Sequence, residues 1–369
     1  MTWAVPHRGM PPLEPADPPI SFFEFWPMYV FYTPVWPYIL WLMLRHGSIT
    51  APLSANPSFE AGGLVGESKS LILALARQAA PGFVADYTTW DRPAHTPDIP
   101  QEAEAVLATI AAAGLALPLV AKPDRGCRGA GVRVIRERAA LERYLAAFPP
   151  GQRIVLQRLV DHEAEAGIFY TRDSGSRAGA VRSITLKYFP YVIGDGRSTL
   201  QALILADPRA GQVPHLYLGR NAHRLDWVPM DGEPVRLAFA GSHSKGAIFR
   251  DGSHLITPAM SAAFDTVARA IPDFHFGRFD IRFDDYRNLQ QGQGFTILEV
   301  NGAGAESTEI WDARMTLGRA YRILMRQWRW AFEIGAGNRK RGMPPVRFFD
   351  FWALYRAEVR LATSYPSTD

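Results

Sequence analysis

Cysteine is nearly absent. Cys127 is the single thiol in 369 residues, which excludes an internal disulfide framework and a cysteine-held zinc cluster. The nine histidines show no metal-ligand spacing, and only His243 lies in a stretch of interest. No Ser–His–Asp or Cys–His arrangement offers a protein nucleophile. Charge of one sign is also lacking: 40 Lys and Arg stand against 36 Asp and Glu. The basic residues cluster locally rather than in tails, so no nucleic-acid partner is expected. The first twenty residues are polar and proline-rich, without a basic stretch leading into an apolar one. That pattern carries no secretory signal, and the chain reads as cytoplasmic. No internal repeat is visible.

What is present begins with bulk. A chain of this length, 47% hydrophobic, can bury one large core or two to three small ones. Residues 25–44 contain no charge and are long enough to span a bilayer. Yet Pro27, Pro34 and Pro37 would interrupt a spanning helix. Trp26, Tyr29, Phe31, Tyr32, Trp36, Tyr38 and Trp41 crowd the same stretch, and such rings favour a membrane–water interface or a thick protein core. Three readings therefore stand: a broken helical segment packed on the body, an interfacial contact capped by Arg45 and His46, or a spanning helix.

Along the chain, residues 1–20 read as a disordered or extended leader. Helices are expected at 67–78, with Leu71, Ile72 and Leu75 on one side, and at 102–113, 137–147, 258–270 and 313–332. Strands are expected at 119–122, 132–135, 154–157, 167–172, 180–189, 276–284 and 295–301. Ser198 is a plausible N-cap for a short helix after the Gly194-Asp195-Gly196 turn. Residues 335–345 read as a loop and 346–369 as an aromatic tail. Helices and strands mix without regular alternation, so the fold class is α+β.

The sharpest feature is Gly277-Arg278-Phe279-Asp280-Ile281-Arg282-Phe283-Asp284. Strict alternation on a strand sends Phe279, Ile281 and Phe283 to the core and gathers Arg278, Asp280 and Arg282 on the other face. In the next strand Leu298 and Val300 point one way, Glu299 and Asn301 the other. Symmetric pairing about the intervening loop puts Asp280 across from Glu299. Two carboxylates and an amide oxygen on one face are hard ligands of the kind magnesium takes, with phosphate and water completing its shell. Arg278 beside them suits charge developing on a transferring phosphoryl group. The plain alternative is a solvated sheet face.

The second feature is Val120-Ala121-Lys122-Pro123, then Gly126-Cys127-Arg128-Gly129-Ala130-Gly131, then another strand. A lysine ending a buried strand can reach phosphate oxygens, and glycine-rich turns expose backbone N–H groups to them. Alone, such a turn is equally a hairpin requirement. No Gly-Lys-Ser/Thr follows, so it is not a Walker loop. A strand rather than a helix comes next, so it is not a dinucleotide fingerprint.

Taken in order, these pieces resemble the ATP-grasp superfamily, in particular its D-alanine–D-alanine ligase-like carboxylate–amine ligases. The matching stretches are Val120 to Pro123 with the glycine loop, Val155-Leu156-Gln157-Arg158-Leu159-Val160, the Asp280 strand, and Leu298-Glu299-Val300-Asn301. The segment around Gly194-Asp195-Gly196 is similar to a linker of cyanophycin-synthetase-type modules. The resemblance covers roughly residues 66–312 and implies ATP held between two α+β subdomains.

It further implies roles. Lys122 would contact the phosphates or the adenine N7 side, and Lys69 would be an earlier nucleotide lysine. The loop with Gly126, Cys127, Arg128, Gly129 and Gly131 would close over the phosphates. Gln157 and the backbone of Leu159 and Val160 would read adenine. Glu165 would hold the ribose, with Asp161 or Glu163 as alternatives, and Lys187 would point into the slot. Asp280, Glu299 and Asn301 match Mg2+ ligands, with Mn2+ as a substitute, and Arg278 matches the arginine that steadies an acyl phosphate. In the stretch from Gly241 to Gly246, Ser242 and Lys245 are candidate substrate contacts.

The implied reaction activates a carboxylate with ATP and couples it to an amine or similar nucleophile, releasing ADP. A phosphotransferase and a non-catalytic nucleotide-binding regulator are the alternatives. Expected partners are small-molecule or peptide carboxylate and amine substrates, a peripheral contact at the inner face of a membrane through residues 22–46, and a second copy of the chain. The expected organisation is a 1–60 aromatic segment, a 61–345 ATP-grasp domain divided at about residue 165, and a 346–369 tail. Two departures from the family stand out. The Pro-Gly pair expected after Asn301 is replaced by Gly302-Ala303-Gly304-Ala305-Glu306, and the α/β domain that normally precedes the nucleotide lysine is replaced by the aromatic segment.

Overall fold

The computed structural model describes residues 3, 5–95, 98–126, 129–239, 241–343 and 346–366. Its N-terminal stretch is tied to the body rather than free. The His7 ring hydrogen-bonds the Phe189 carbonyl at 2.7 Å, and the Tyr188 hydroxyl donates to the Pro11 carbonyl at 3.1 Å. The aromatic segment is a broken helix, α1 (Met28–Tyr32), a 3-10 turn over Thr33–Val35 and α2 (Trp36–Arg45). Pro34 and Pro37 sit in the first turns of the two later pieces, where a missing N–H costs nothing. Phe23, Phe31, Val35, Ile39 and Leu42 are buried on the body, while Trp36, Leu40, Trp41 and Leu44 face outward. Among the described residues, no helix is long and apolar enough to cross a membrane.

Helix α3 (Lys69–Ala79) starts at Ser68, whose hydroxyl caps the Leu71 N–H. It begins two residues later than expected, and Leu71 is exposed while Ile72, Leu73 and Ala76 face the core. The smaller lobe follows: β1 (Tyr87–Asp91), α4 (Ile99–Ala112), β2 (Leu119–Pro123), β3 (Arg133–Ile135), α5 (Arg138–Ala147) and β4 (Arg153–Arg158). Its antiparallel sheet runs β1-β4-β2-β3. Ala103, Val106 and Ile110 of α4 and Leu141 and Leu145 of α5 cover one face of it.

The larger lobe holds β5 (Ala164–Thr171), β6 (Ala180–Tyr188), β9 (Ile248–Asp251), β10 (Phe276–Phe283) and β11 (Phe295–Asn301) in the order β11-β10-β5-β6-β9, with every neighbour antiparallel. Between β6 and β9 an excursion carries β7 (Tyr191–Ile193), α6 (Leu200–Ala206) and β8 (Pro234–Arg236) around a small core of its own. Helix α7 (Pro258–Ala270) and α3 pack Met260, Phe264, Val267 and Ile72 onto the sheet face formed by Ile168, Ile184, Phe279 and Ile281. The short α8 (Tyr286–Gln290) joins β10 to β11, and the long α9 (Leu317–Lys340) carries Ala331 and Ile334 against Phe169 and Phe276 on the opposite face.

Three expectations need correction here. Helix α9 runs through residues 335–340, which read as a loop. Gly335 lies under the 51–54 turn, where a Cβ would meet the Ala51 carbonyl oxygen at 1.8 Å. The Asn338 amide donates to the Ser54 and Ala55 carbonyls at 3.0 and 3.2 Å. These residues serve close packing, not chain termination. Residues 348–362 form α10 (Phe348–Ala362) rather than a tail. Thr199, not Ser198, caps α6, because the Asp195 carboxylate accepts from the Arg197 and Ser198 N–H groups and the Ser198 hydroxyl.

Candidate active site

The β10–β11 pairing sets Asp280 opposite Glu299 and Arg278 opposite Asn301. The register then slips, so that Ile281 faces Ile297 and Leu298 is the extra residue of a bulge. Leu298 therefore does not share the core side with Val300, as alternation suggested. It lines the cleft, and its carbonyl accepts from Lys122 Nζ at 3.0 Å and Gln157 Nε2 at 3.2 Å. One backbone group thus ties the smaller lobe to the β10–β11 hairpin.

Around Asp280 the polar groups are fully engaged. Arg278 holds it with both Nε and Nη2, at 3.0 and 2.9 Å. Lys187 Nζ donates at 2.8 Å and the Asn301 amide at 2.9 Å. Burial would push the Asp280 carboxyl up, but Arg278 and Lys187 outweigh it and hold it below the usual carboxylate range. Lys187 also reaches Glu165 at 3.2 Å, and Arg282 lies 3.6 Å from the other Glu165 oxygen. Burial would lower the Lys187 ammonium, and these carboxylates raise it instead.

The lysines at the lobe junction form a second group. Lys122 Nζ donates to Gln157 Oε1 at 2.9 Å, and burial pushes its ammonium down to about 8. Lys69 Nζ donates to the Gly126 carbonyl and lies 3.5 Å from Glu299. Glu67, two residues earlier, accepts from the Gly302 N–H at 3.3 Å, and burial pushes it up to about 8. Asp124 anchors the start of α3, its two oxygens taking the Ser70 N–H and the Ser68 hydroxyl, both at 2.7 Å. Glu67 and Asp124 were missed as site residues. Their signal was position, flanking Lys69 and ending β2 beside Lys122.

Gly126, Gly129 and Gly131 have φ of 144°, 72° and 69°, values that glycine adopts without strain. Cys127 and Arg128 lie outside the described residues. The chain's C-terminal end covers this loop. The Tyr365 hydroxyl donates to the Arg125 carbonyl at 2.7 Å, its ring lies against Gly126 and its Cβ against Gly131, and Glu358 of α10 accepts from the Gly66 N–H.

A cavity of about 820 Å³ runs between the lobes. Lys69, Lys122, Gly126, Gly129, Gln157, Leu159, Val160, Glu165, Lys187, Ser242, Arg278, Asp280, Glu299 and Asn301 all line it. Two expected residues do not. Gly131 packs on Pro123 and Tyr365. Lys245 ends a 3-10 turn closed by left-handed Gly246 (φ 103°), which leaves Ser242, His243 and Ser244 on the lining. The far wall comes from Phe25, Trp26, Met28 and Tyr32, in a segment that sequence reasoning left between the protein body, a membrane interface and a spanning helix, and did not place in the cleft.

Among the described residues, no three His, Cys, Asp or Glu side chains gather to hold a metal by themselves. The donor set is Asp280 and Glu299 with the Asn301 amide, whose nitrogen points to Asp280 and whose oxygen remains available. By donor type that set fits a hard cation whose shell is completed by phosphate oxygens and water, and Asp280 would take part by exchanging one of its hydrogen bonds from Arg278, Lys187 or Asn301.

Two lobes, each built on an antiparallel sheet, thus close on one cleft. No family model matches the sequence, and no curated protein matches it. Solved structures similar to it include a bifunctional glutathione synthetase from Pasteurella multocida, at 14% identity over 70% of this chain and 35% of that one, with a TM-score of 0.36. The ATP-grasp ligase PsnB complexed with minimal precursor matches at 14% over 70% and 60%, with a TM-score of 0.35. The VanG D-Ala:D-Ser ligase from Enterococcus faecalis matches at 14% over 73% and 64%, with a TM-score of 0.40. The chain spans about a third to two thirds of these proteins' length. At such scores the likeness adds nothing about substrate or activity.

Proposed function

We propose that the chain is an ATP- and Mg2+-dependent ligase that activates a carboxylate as an acyl phosphate and couples it to an amine. The observation that carries this reading is the convergence, on one cleft, of four cations from both lobes (Lys69, Lys122, Lys187 and Arg278) with Asp280, Glu299 and Asn301. Such a set suits a polyphosphate and its counter-cation better than any other small ligand.

Lys122 and Lys69, at the junction, meet phosphate oxygens, while Gln157 and the backbone after it face the base. Asp280, Glu299 and Asn301 would hold magnesium, which would supply charge neutralisation at the phosphates. A substrate carboxylate oxygen attacks the γ-phosphorus, and the bond to the β-phosphate oxygen breaks with its electrons leaving on ADP. Arg278 and Lys187 stabilise the charge that spreads over the transferring group. The amine then displaces phosphate from the acyl carbon. Positioning and charge supply the rate, so no protein nucleophile is needed.

The test is Mg·ATP turnover over pools of carboxylates with hydroxylamine as trap, wild type beside Glu299→Ala. The reading predicts ADP and hydroxamate that depend on one pool, with a loss of about 10²–10³-fold in the variant. Release of AMP, or no ATP binding at all, would overturn it.

A further inference from the structure

The cleft has an end that the nucleotide chemistry leaves unused. Its wall is Phe25, Trp26, Met28 and Tyr32, joined by Phe249 and Trp311. The wall is held firmly from behind. Phe31 packs on Trp311 with ring centroids 4.7 Å apart, and Phe23 stacks on Phe31 at 5.7 Å. His243 covers Trp311 at 4.5 Å, nearly parallel.

One carboxylate stands at the junction of this end with the reactive one. The Glu306 backbone carbonyl accepts from Arg278 Nη1 at 3.0 Å, so the residue is anchored beside the arginine of the phosphoryl site. It lines the cavity, and among the described residues the Trp311 indole alone favours its charge. The other carboxylates of the lining are all answered. Glu24 pairs with Arg209, Glu165 with Lys187 and Arg282, Asp280 with Arg278 and Lys187, and Glu299 with Lys69. Glu67 and Glu358 accept the Gly302 and Gly66 N–H groups. Among the described residues, Glu306 alone in this cleft has neither a cation nor a backbone amide. Burial accordingly pushes its carboxyl up to about 7. Glu306 is half-buried, and a desolvated carboxylate without a counter-charge is costly, a cost that a cation brought by a ligand removes.

The lining also says what the ligand lacks. Among the described residues its lysines and arginines are Lys69, Lys122, Arg158, Lys187, Arg278 and Arg282, all on the hinge and β10–β11 side. A nucleophile carrying its own free carboxylate finds no Lys or Arg among the described residues to meet it at the aromatic end.

We propose that the aromatic end is the nucleophile's subsite: Glu306 receives a primary ammonium, and the Trp26–Tyr32 wall takes an apolar body that bears no carboxylate. This rests on the ligase reading above. The ammonium gives one proton to the Glu306 carboxylate and becomes a neutral amine. Its lone pair forms the C–N bond at the acyl carbon, the C–O bond to phosphate breaks with its electrons leaving on phosphate, and a second nitrogen proton passes to that phosphate. The amide and hydrogen phosphate result, and Glu306 returns its proton to water.

The experiment is titration of the full chain with phenethylamine, 2-phenylethanol and phenylalanine, read by tryptophan fluorescence and calorimetry, in wild type, Glu306→Gln and Trp26→Ala. Expected is saturable binding of phenethylamine, weaker binding of phenylalanine, and a loss of about tenfold or more for phenethylamine in Glu306→Gln. Binding of 2-phenylethanol is unchanged in that variant, whereas Trp26→Ala weakens both ligands. Equal phenethylamine binding in wild type and Glu306→Gln, or tighter binding of phenylalanine, overturns the proposal. ATP binding by each variant reports that it is folded. Hydroxamate trapping separates the two claims. Trapping with Glu306-independent amine binding sinks this inference alone, whereas Glu306-dependent binding without trapping sinks the ligase reading and leaves the amine site standing.

Discussion

The two ends of the cleft are built by different means. At the metal end, charged residues are delivered by strands whose register dictates their meeting. Asp280 and Glu299 face each other across β10 and β11, and Lys187 reaches Asp280 from β6 across β5. Nearly every charge there is answered within 3.6 Å. At the aromatic end, segment 25–32 and Trp311 meet from opposite parts of the chain, through ring packing alone. A strand ladder specifies positions to a fraction of an ångström by hydrogen bonding, whereas an apolar wall specifies shape and excludes water. The first would suit the proposed phosphoryl chemistry, which needs charges held at fixed positions. The second suits the part of a site that chooses a substrate.

The contrast can be broken most directly at Phe31. It is fully buried between Phe23, Trp311 and Tyr321, so Phe31→Ala removes the anchor of the aromatic wall. Denaturant melts should show a loss of about 3–5 kcal/mol, with ATP affinity of the folded protein changed by less than about threefold, because additivity holds for distant sites. An equal loss of ATP affinity would mean that the two ends are one cooperative unit.

A smaller effect is expected at the charged end from pH. Burial lowers the Lys122 ammonium to about 8, while neighbouring carboxylates raise that of Lys187. Raising the pH from about 7 to about 9.5 therefore discharges Lys122 first, and ATP affinity should fall by about tenfold across that window. In Lys122→Met the affinity is weak throughout and the slope attributable to this lysine disappears. A wild-type profile that stays flat would show Lys122 to be outside the phosphate contacts.

The smallest effect is expected at Lys245. It follows Ser242, His243 and Ser244 of the lining directly in sequence but does not itself line the cleft. Lys245→Ala should leave ADP release within about twofold of wild type, the range of an ordinary surface change. A large loss would return this lysine to the substrate loop.

The alternation of Phe279, Ile281 and Phe283 with Arg278, Asp280 and Arg282, and the glycines around Lys122, were legible because strand period and turn chemistry are local properties. The α+β class, most element positions and the facing of Asp280 and Glu299 followed from them. What only the tertiary structure decided depends on contacts between residues far apart in the chain. The bulge that turns Leu298 into the cleft is a matter of pairing, not of composition. The continuation of α9 through Gly335 depends on the Ala51 backbone lying against it. The closure of the glycine loop by Tyr365 and the cavity wall made by Trp26 and Tyr32 join segments from opposite termini. An apolar run announces that it will be buried, but the identity of its neighbour is set by the packing of the whole chain.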